Sequence, residues 1–143
     1  MKINYLDILN KNMINVFIEV LKNIKKNGLK EGHHLYITFR TNEKKVNIPI
    51  WLKNKFPKEM TIVIQYEYWN LLINKSDFKI TLSFNDIKSD LTIPFKSVIS
   101  FADPYANFGL KLINDDKKSS VKKNKIKYNK NNIIDFTEFK KNK

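Results

Sequence analysis

The chain of 143 residues contains no cysteine, which excludes disulfide staples, thiolate nucleophiles and cysteine-ligated metals. Three glycines and four prolines leave little room for glycine-rich phosphate cradles, and no P-loop, Rossmann, GxSxG or HExxH pattern is present. The two histidines, His33 and His34, are adjacent. In an extended strand they face opposite sides and cannot chelate one metal together. Asp115 and Asp116 form the most visible acidic pair, but they sit in a polar run where no pocket would tune a general acid. Asp86, Asp90 and Asp103 read as turn and cap residues. The expectation is a protein without catalytic residues, resident metal or cofactor.

Long apolar runs are also missing. Nothing approaches the roughly 18 to 20 residues needed to cross a bilayer, and the leading MKINYLDILNKN is interrupted by Asn and Asp where a signal peptide would be apolar. A soluble, cytoplasmic protein is expected, with no membrane partner. Arginine is nearly absent: Arg40 stands alone among 27 basic residues, against 14 acidic ones. The net charge of +13 suits an anionic partner such as nucleic acid. Base and phosphate contacts favour the bidentate arginine fork, however, so the abundance of Lys, Asn and Ile reads as compositional bias before it reads as a polyanion site.

What the chain does have is apolar and aromatic: 42% hydrophobic and 13% aromatic, with ten Phe and six Tyr. Residues 1–113 are enough for one core. Asn4 to Asn27 reads as a helix, with Asn4 as N-cap, Asp7 in the first turn, Lys22, Lys25 and Lys26 in the last and Gly28 beyond. Its apolar residues exceed the stripe of about 100° that one core requires. Two readings stand: a helix deeply buried in its own domain, or a helix shared with a second copy in a symmetric dimer through Met13, Val16, Phe17, Val20, Leu21 and Ile24.

From His34 the pattern changes to period two. His34 to Arg40 and Phe78 to Phe84 alternate apolar and polar residues, as half-buried antiparallel strands do. Further strands are expected at Val46 to Ile48, Met60 to Gln65, Asn70 to Ile73, Asp90 to Ile93 and Phe108 to Ile113, and Pro94 can open a short helix through Ser100. The fold class is α+β: an N-terminal helix followed by a small, strongly bent antiparallel sheet or small barrel. In MTIVIQYEYW, Met60, Ile62 and Ile64 point one way, yet Val63 is also apolar and Tyr66, Tyr68 and Trp69 follow. A strand apolar on both faces needs cover on both, from a second sheet or from a bound peptide.

The C-terminal part changes character again. The run 114–132 is polar and rich in Lys and Asn, and such a composition predicts a flexible linker. It ends in IIDFTEFKKNK, residues 133–143, where Ile133, Ile134, Phe136 and Phe139 need something to dock on. The dock is either another protein or the parent domain.

Taken in order, HHLYITFRT, VNIPIWLKNKFPKEMTIVIQYEYWNLLI and FKITLSFNDIKSDLTIPFKSVISFADPYANFGLKL resemble the SspB family of adaptors for the ClpXP protease, in its short-linker branch. IIDFTEFKK resembles that family's C-terminal ClpX-binding motif. The resemblance implies an Sm-like β-barrel with an N-terminal dimerisation helix and a groove for the ssrA degradation tag. Carried over, it puts Met60, Ile62, Val63, Ile64, Gln65, Tyr66, Tyr68, Trp69, Ser83 and Phe84 at or near the tag groove. It also implies that Ile133, Ile134, Asp135, Phe136, Phe139 and Lys140 dock on the zinc-binding N-terminal domain of ClpX, whose zinc belongs to the partner. The expected function is delivery of ssrA-tagged proteins to ClpXP by a homodimeric, non-enzymatic adaptor. The alternative is a small nucleic-acid-binding barrel.

Overall fold

The structure is a computed structural model that describes residues 2–112. Helix α1 (Tyr5–Asn27) begins where the Asn4 side chain accepts a hydrogen bond from the Asp7 backbone N–H at 3.1 Å. It stops at Gly28, whose φ of +74° is open to glycine and strained for other residues. Strand β1 (Leu35–Arg40) then alternates buried and half-buried residues, as its period-two sequence predicts.

Seven strands form two antiparallel sheets among the described residues. The first has the order β2-β1-β6-β7, with β2 at Glu59–Ile64, β6 at Val98–Asp103 and β7 at Phe108–Lys111. The second is a meander of β3 (Tyr68–Ile73), β4 (Asp77–Phe84) and β5 (Ile87–Pro94). The α+β class and the N-terminal helix therefore stand. The Sm-like barrel is corrected: no ladder closes β5 onto the first sheet, and the sheets are joined instead by packing.

Local chemistry explains the joints. Asn85 and Asp86 both adopt positive φ, +52° and +65°, which is the two-residue hairpin geometry that matches strand twist. At the other end of β4, Asn74 closes the turn through its side chain on Asp77 at 2.8 Å and its N–H on the Asp77 carbonyl at 2.8 Å. Pro94 opens only a single 3-10 turn, Phe95–Ser97, and β6 starts at Val98, so the helix expected through Ser100 gives way to a strand. Val46 to Ile48 forms no strand of its own. Asn47 alone bridges Thr92, with N–H···O distances of 3.0 and 2.9 Å, because Pro49 ends the pairing and starts the short helix α2 (Ile50–Lys55).

The core sits where α1 crosses the two sheets. Phe17, 0% exposed, meets Phe78 of the second sheet edge-on at 5.6 Å, Phe95 at 6.2 Å and Phe101 of the first sheet at 5.0 Å. One aromatic side chain thus ties helix, both sheets and the 3-10 turn together, and each ring pair adds about 0.5–1.5 kcal/mol to area burial. Met13, Leu21 and Ile24 are buried on the same seam. The helix is accordingly buried in its own domain along Met13, Phe17, Leu21 and Ile24, which removes those four from any surface offered to a second copy. The apolar surplus that remains lies on a flank: Val16 is 41% exposed and Val20 half-buried.

Candidate functional site

Strand β2 is simpler than its sequence suggests. Met60, Ile62 and Ile64 are buried in the core, and Glu59, Thr61 and Val63 face outward. Met60, Ile62 and Ile64, expected at or near the groove, have their side chains in the core, so any part they take in it is as its support. Val63, 39% exposed, is the apolar exception on the outer face of an edge strand.

The residues after β2 go to two places. Gln65, Tyr66 and Glu67 form the crossing from the first sheet to the second, and Tyr66 is 73% exposed there. Tyr68 pairs with Leu82 and Trp69 with Thr81, so the two aromatics fall on opposite faces of β3. On the outer face, the Lys88 ammonium lies 4.2 Å from the Trp69 ring centroid, and Lys88 is the cross-strand partner of Ser83. A cation over an indole at this distance is a favourable contact of about 0.5–1 kcal/mol where exposed. Behind it Thr81 donates to Asp90 at 2.6 Å and accepts from Asn70 at 3.2 Å.

On the inner face, Tyr68 shares its side of the sheet with Leu82 and Phe84. Phe84 meets Trp51 of α2 edge-on, with centroids 6.4 Å apart. Trp51, Phe84 and Tyr68 are all half-buried and pack at the margin of the core. Ile50, beside Trp51, is 75% exposed. Together these residues gather at the Phe84 end of β4 as a half-buried aromatic patch, the mouth of the site, with the exposed Ile50 beside it. Tyrosine and tryptophan at such a place bury area while keeping a polar handle for a peptide backbone.

Sequence reading attached Tyr68 and Trp69 to the end of the strand Met60 to Gln65, whereas they open β3 and lie in the same sheet as Ser83 and Phe84, on two different faces. It missed Trp51 and Ile50. The signal was present in Pro-Ile-Trp-Leu at 49–52: a proline-started turn of helix too short to bury all three large apolar side chains.

The histidines take structural places. His33 Nδ1 is 2.7 Å from Asp103 Oδ2, and its ring meets Tyr105 at a tilt of 50°, with centroids 4.4 Å apart. The same tyrosine closes on Gly32, where an added Cβ would stand 3.1 Å from its ring and φ is +87°. His34 turns away and stacks with Tyr36 at 6.3 Å. Asp103 also accepts from the Ala106 N–H, capping the turn Pro104–Ala106. Among the described residues no three His, Asp or Glu side chains converge on a metal site, and no helix is long and apolar enough to cross a membrane.

The linker 114–132 and the tip residues Ile133, Ile134, Asp135, Phe136, Phe139 and Lys140 lie outside the described residues. In comparison with known proteins, the family model described as SspB, stringent starvation protein B, matches residues 8–142. No curated protein gives a match.

Proposed function

Because this chain belongs to the SspB family, we propose that it is a proteolysis adaptor that captures ssrA-tagged proteins and tethers them to the ClpXP protease, without catalysing a reaction itself. The observation that carries this reading is the span of the family match. It runs from α1 through both sheets and on to residue 142, so the described body and the C-terminal residues fall within one family pattern, as an adaptor with a cargo-holding body and a docking tail requires.

In this account the tag peptide enters the mouth formed by Tyr68, Phe84 and Trp51, with Tyr66 and Gln65 at the sheet crossing and Trp69, Ser83 and Val63 on neighbouring outer surfaces. The tip, through Ile133, Ile134, Asp135, Phe136, Phe139 and Lys140, binds the zinc-binding N-terminal domain of ClpX in the cytoplasm. The linker 114–132 gives an r.m.s. span of about 25 Å and a reach of roughly 65 Å. Tethering over that distance raises the local concentration of cargo at the unfoldase to about the millimolar range. Two copies paired through α1 would double both grooves and tails. Their contact uses the flank of α1 carrying Val16 and Val20, because Met13, Phe17, Leu21 and Ile24 are committed to the core.

The test is fluorescence anisotropy with a labelled ssrA-tag peptide. The adaptor binds at micromolar protein or below with modest salt dependence, whereas a nucleic-acid-binding barrel would ignore the peptide and bind RNA or DNA with an affinity falling steeply as salt rises.

A further inference from the structure

Away from the aromatic mouth, a groove of about 740 Å³ runs between α1 and the Lys75 end of the second sheet. Its walls carry Lys11, Arg40, Lys44, Lys45, Lys75 and Lys96 against only Asp7 and Glu43. Six of seventeen lining residues are cationic, compared with seventeen of the 113 in residues 1–113. The bias is about twofold over the body that contains it, so overall composition does not account for it. Among the described residues, Lys11, Lys44, Lys45, Lys75 and Lys96 form no ion pair with a carboxylate.

The floor is apolar. Ile14 and Ile18 from α1, Pro94 and Phe95 from the turn after β5, Val98 and Leu112 line it. The turn is held in place from two sides: Phe95 N–H donates to the Ser76 carbonyl at 3.0 Å, and Arg40 Nη2 donates to the Lys96 carbonyl at 2.7 Å. Lys75 and Lys96 thus stand on adjoining anchored turns, and Lys44 and Lys45 come from the loop after β1. Apolar floor and cationic rim together describe a site for a segment that carries both apolar side chains and carboxylates.

We propose that this groove is a second peptide-binding site, which takes an extended acidic segment of a partner protein with apolar residues turned to the floor and carboxylates to the lysine rim. Nucleic acid fits the same charge less well. Single-stranded bases need exposed aromatic faces to stack on, and the one aromatic ring here, Phe95, is 5% exposed and engaged with Phe17 and Phe78. The distal chain matches the groove poorly in net charge, since residues 114–143 hold ten lysines and four acids. The groove opens at the start of β4, about 23 Å along the strand from Phe84, so it is separate from the mouth assigned to the tag.

The probe is a fluorescein-labelled peptide of alternating aspartate and leucine, titrated with the full chain. The expected result is micromolar binding that weakens as salt rises. The double variant Lys75→Glu/Lys96→Glu, both positions being exposed, should lose at least tenfold in affinity with an unchanged circular dichroism spectrum. Binding of the ssrA-tag peptide by that variant stays within twofold of wild type, which separates this site's failure from that of the adaptor reading. The proposal is overturned if the acidic peptide does not bind at about 100 µM protein, or if the double variant binds it equally well. It is also overturned if an oligouridylate binds tighter and displaces the peptide. A tenfold gain on Asp115→Asn/Asp116→Asn would overturn it too, by showing that the chain's own acidic pair fills the groove.

Discussion

The two ends of strand β4 differ in chemistry although one ladder joins them. At the Phe84 end, a tight Asn85–Asp86 hairpin brings half-buried aromatics against α2. At the Lys75 end, a longer turn meets the 3-10 turn after β5 and leaves lysines around an apolar floor. The comparison teaches how one small domain offers two unlike surfaces. The strand's inner residues, Phe78, Ile80 and Leu82, are spent on the core, and recognition is left to whatever each terminal turn gathers. Helix α1 makes both ends possible, because Phe17 binds the two sheets into one body.

The severest way to break the comparison is to remove that common support. Phe17→Ala should cost about 3–5 kcal/mol, seen as a lower midpoint in urea denaturation, and should impair both ends together. Retained stability would mean that the sheets hold each other without the helix. Next in size, Trp51→Ala or Phe84→Ala should weaken tag-peptide binding by about 2 kcal/mol, roughly thirtyfold, as expected for a buried aromatic anchor. The acidic peptide should bind these variants as it binds wild type; equal losses for both ligands would merge the two sites into one.

A smaller effect concerns the flank of α1. Val16→Glu should shift the monomer–dimer equilibrium toward monomer by about tenfold in sedimentation or light scattering, with little loss of fold, because the side chain is 41% exposed. The same substitution at Phe17 should unfold the protein instead. Smallest of all, Asp86→Gly should stabilise the Phe84 end by about 0.5 kcal/mol, since glycine meets φ of +65° without strain. A destabilised variant would show that the aspartate side chain, and not only its backbone angle, holds the hairpin.

Local chemistry was legible in the sequence wherever one residue type decides one geometry. Asn4 and Gly28 bracket α1 as read, and β1 and β4 follow their alternation almost to the residue. The misreadings come from tertiary context. Val63 made β2 look apolar on two faces, but one exposed valine on an edge strand needs no cover. The wide apolar surface of α1 looked like an interface seam through Phe17, because periodicity gives the width of a stripe and not which sheet lies under it. The mouth was half visible. Phe84 stood in an expected strand and Tyr68 just before one, whereas Trp51 sits on α2, whose contact with Phe84 forms only in the folded domain. No local pattern announces a contact between residues so far apart in the chain.

The central claim is delivery. The most direct test follows degradation of an ssrA-tagged fluorescent protein by ClpXP, at substrate concentrations below KM, with and without the full chain. The account predicts faster loss of fluorescence with the full chain and none of that gain after deletion of residues 133–143, while the truncated chain still binds the tag peptide. An unchanged rate with the full chain, or full stimulation by the truncated one, would contradict it.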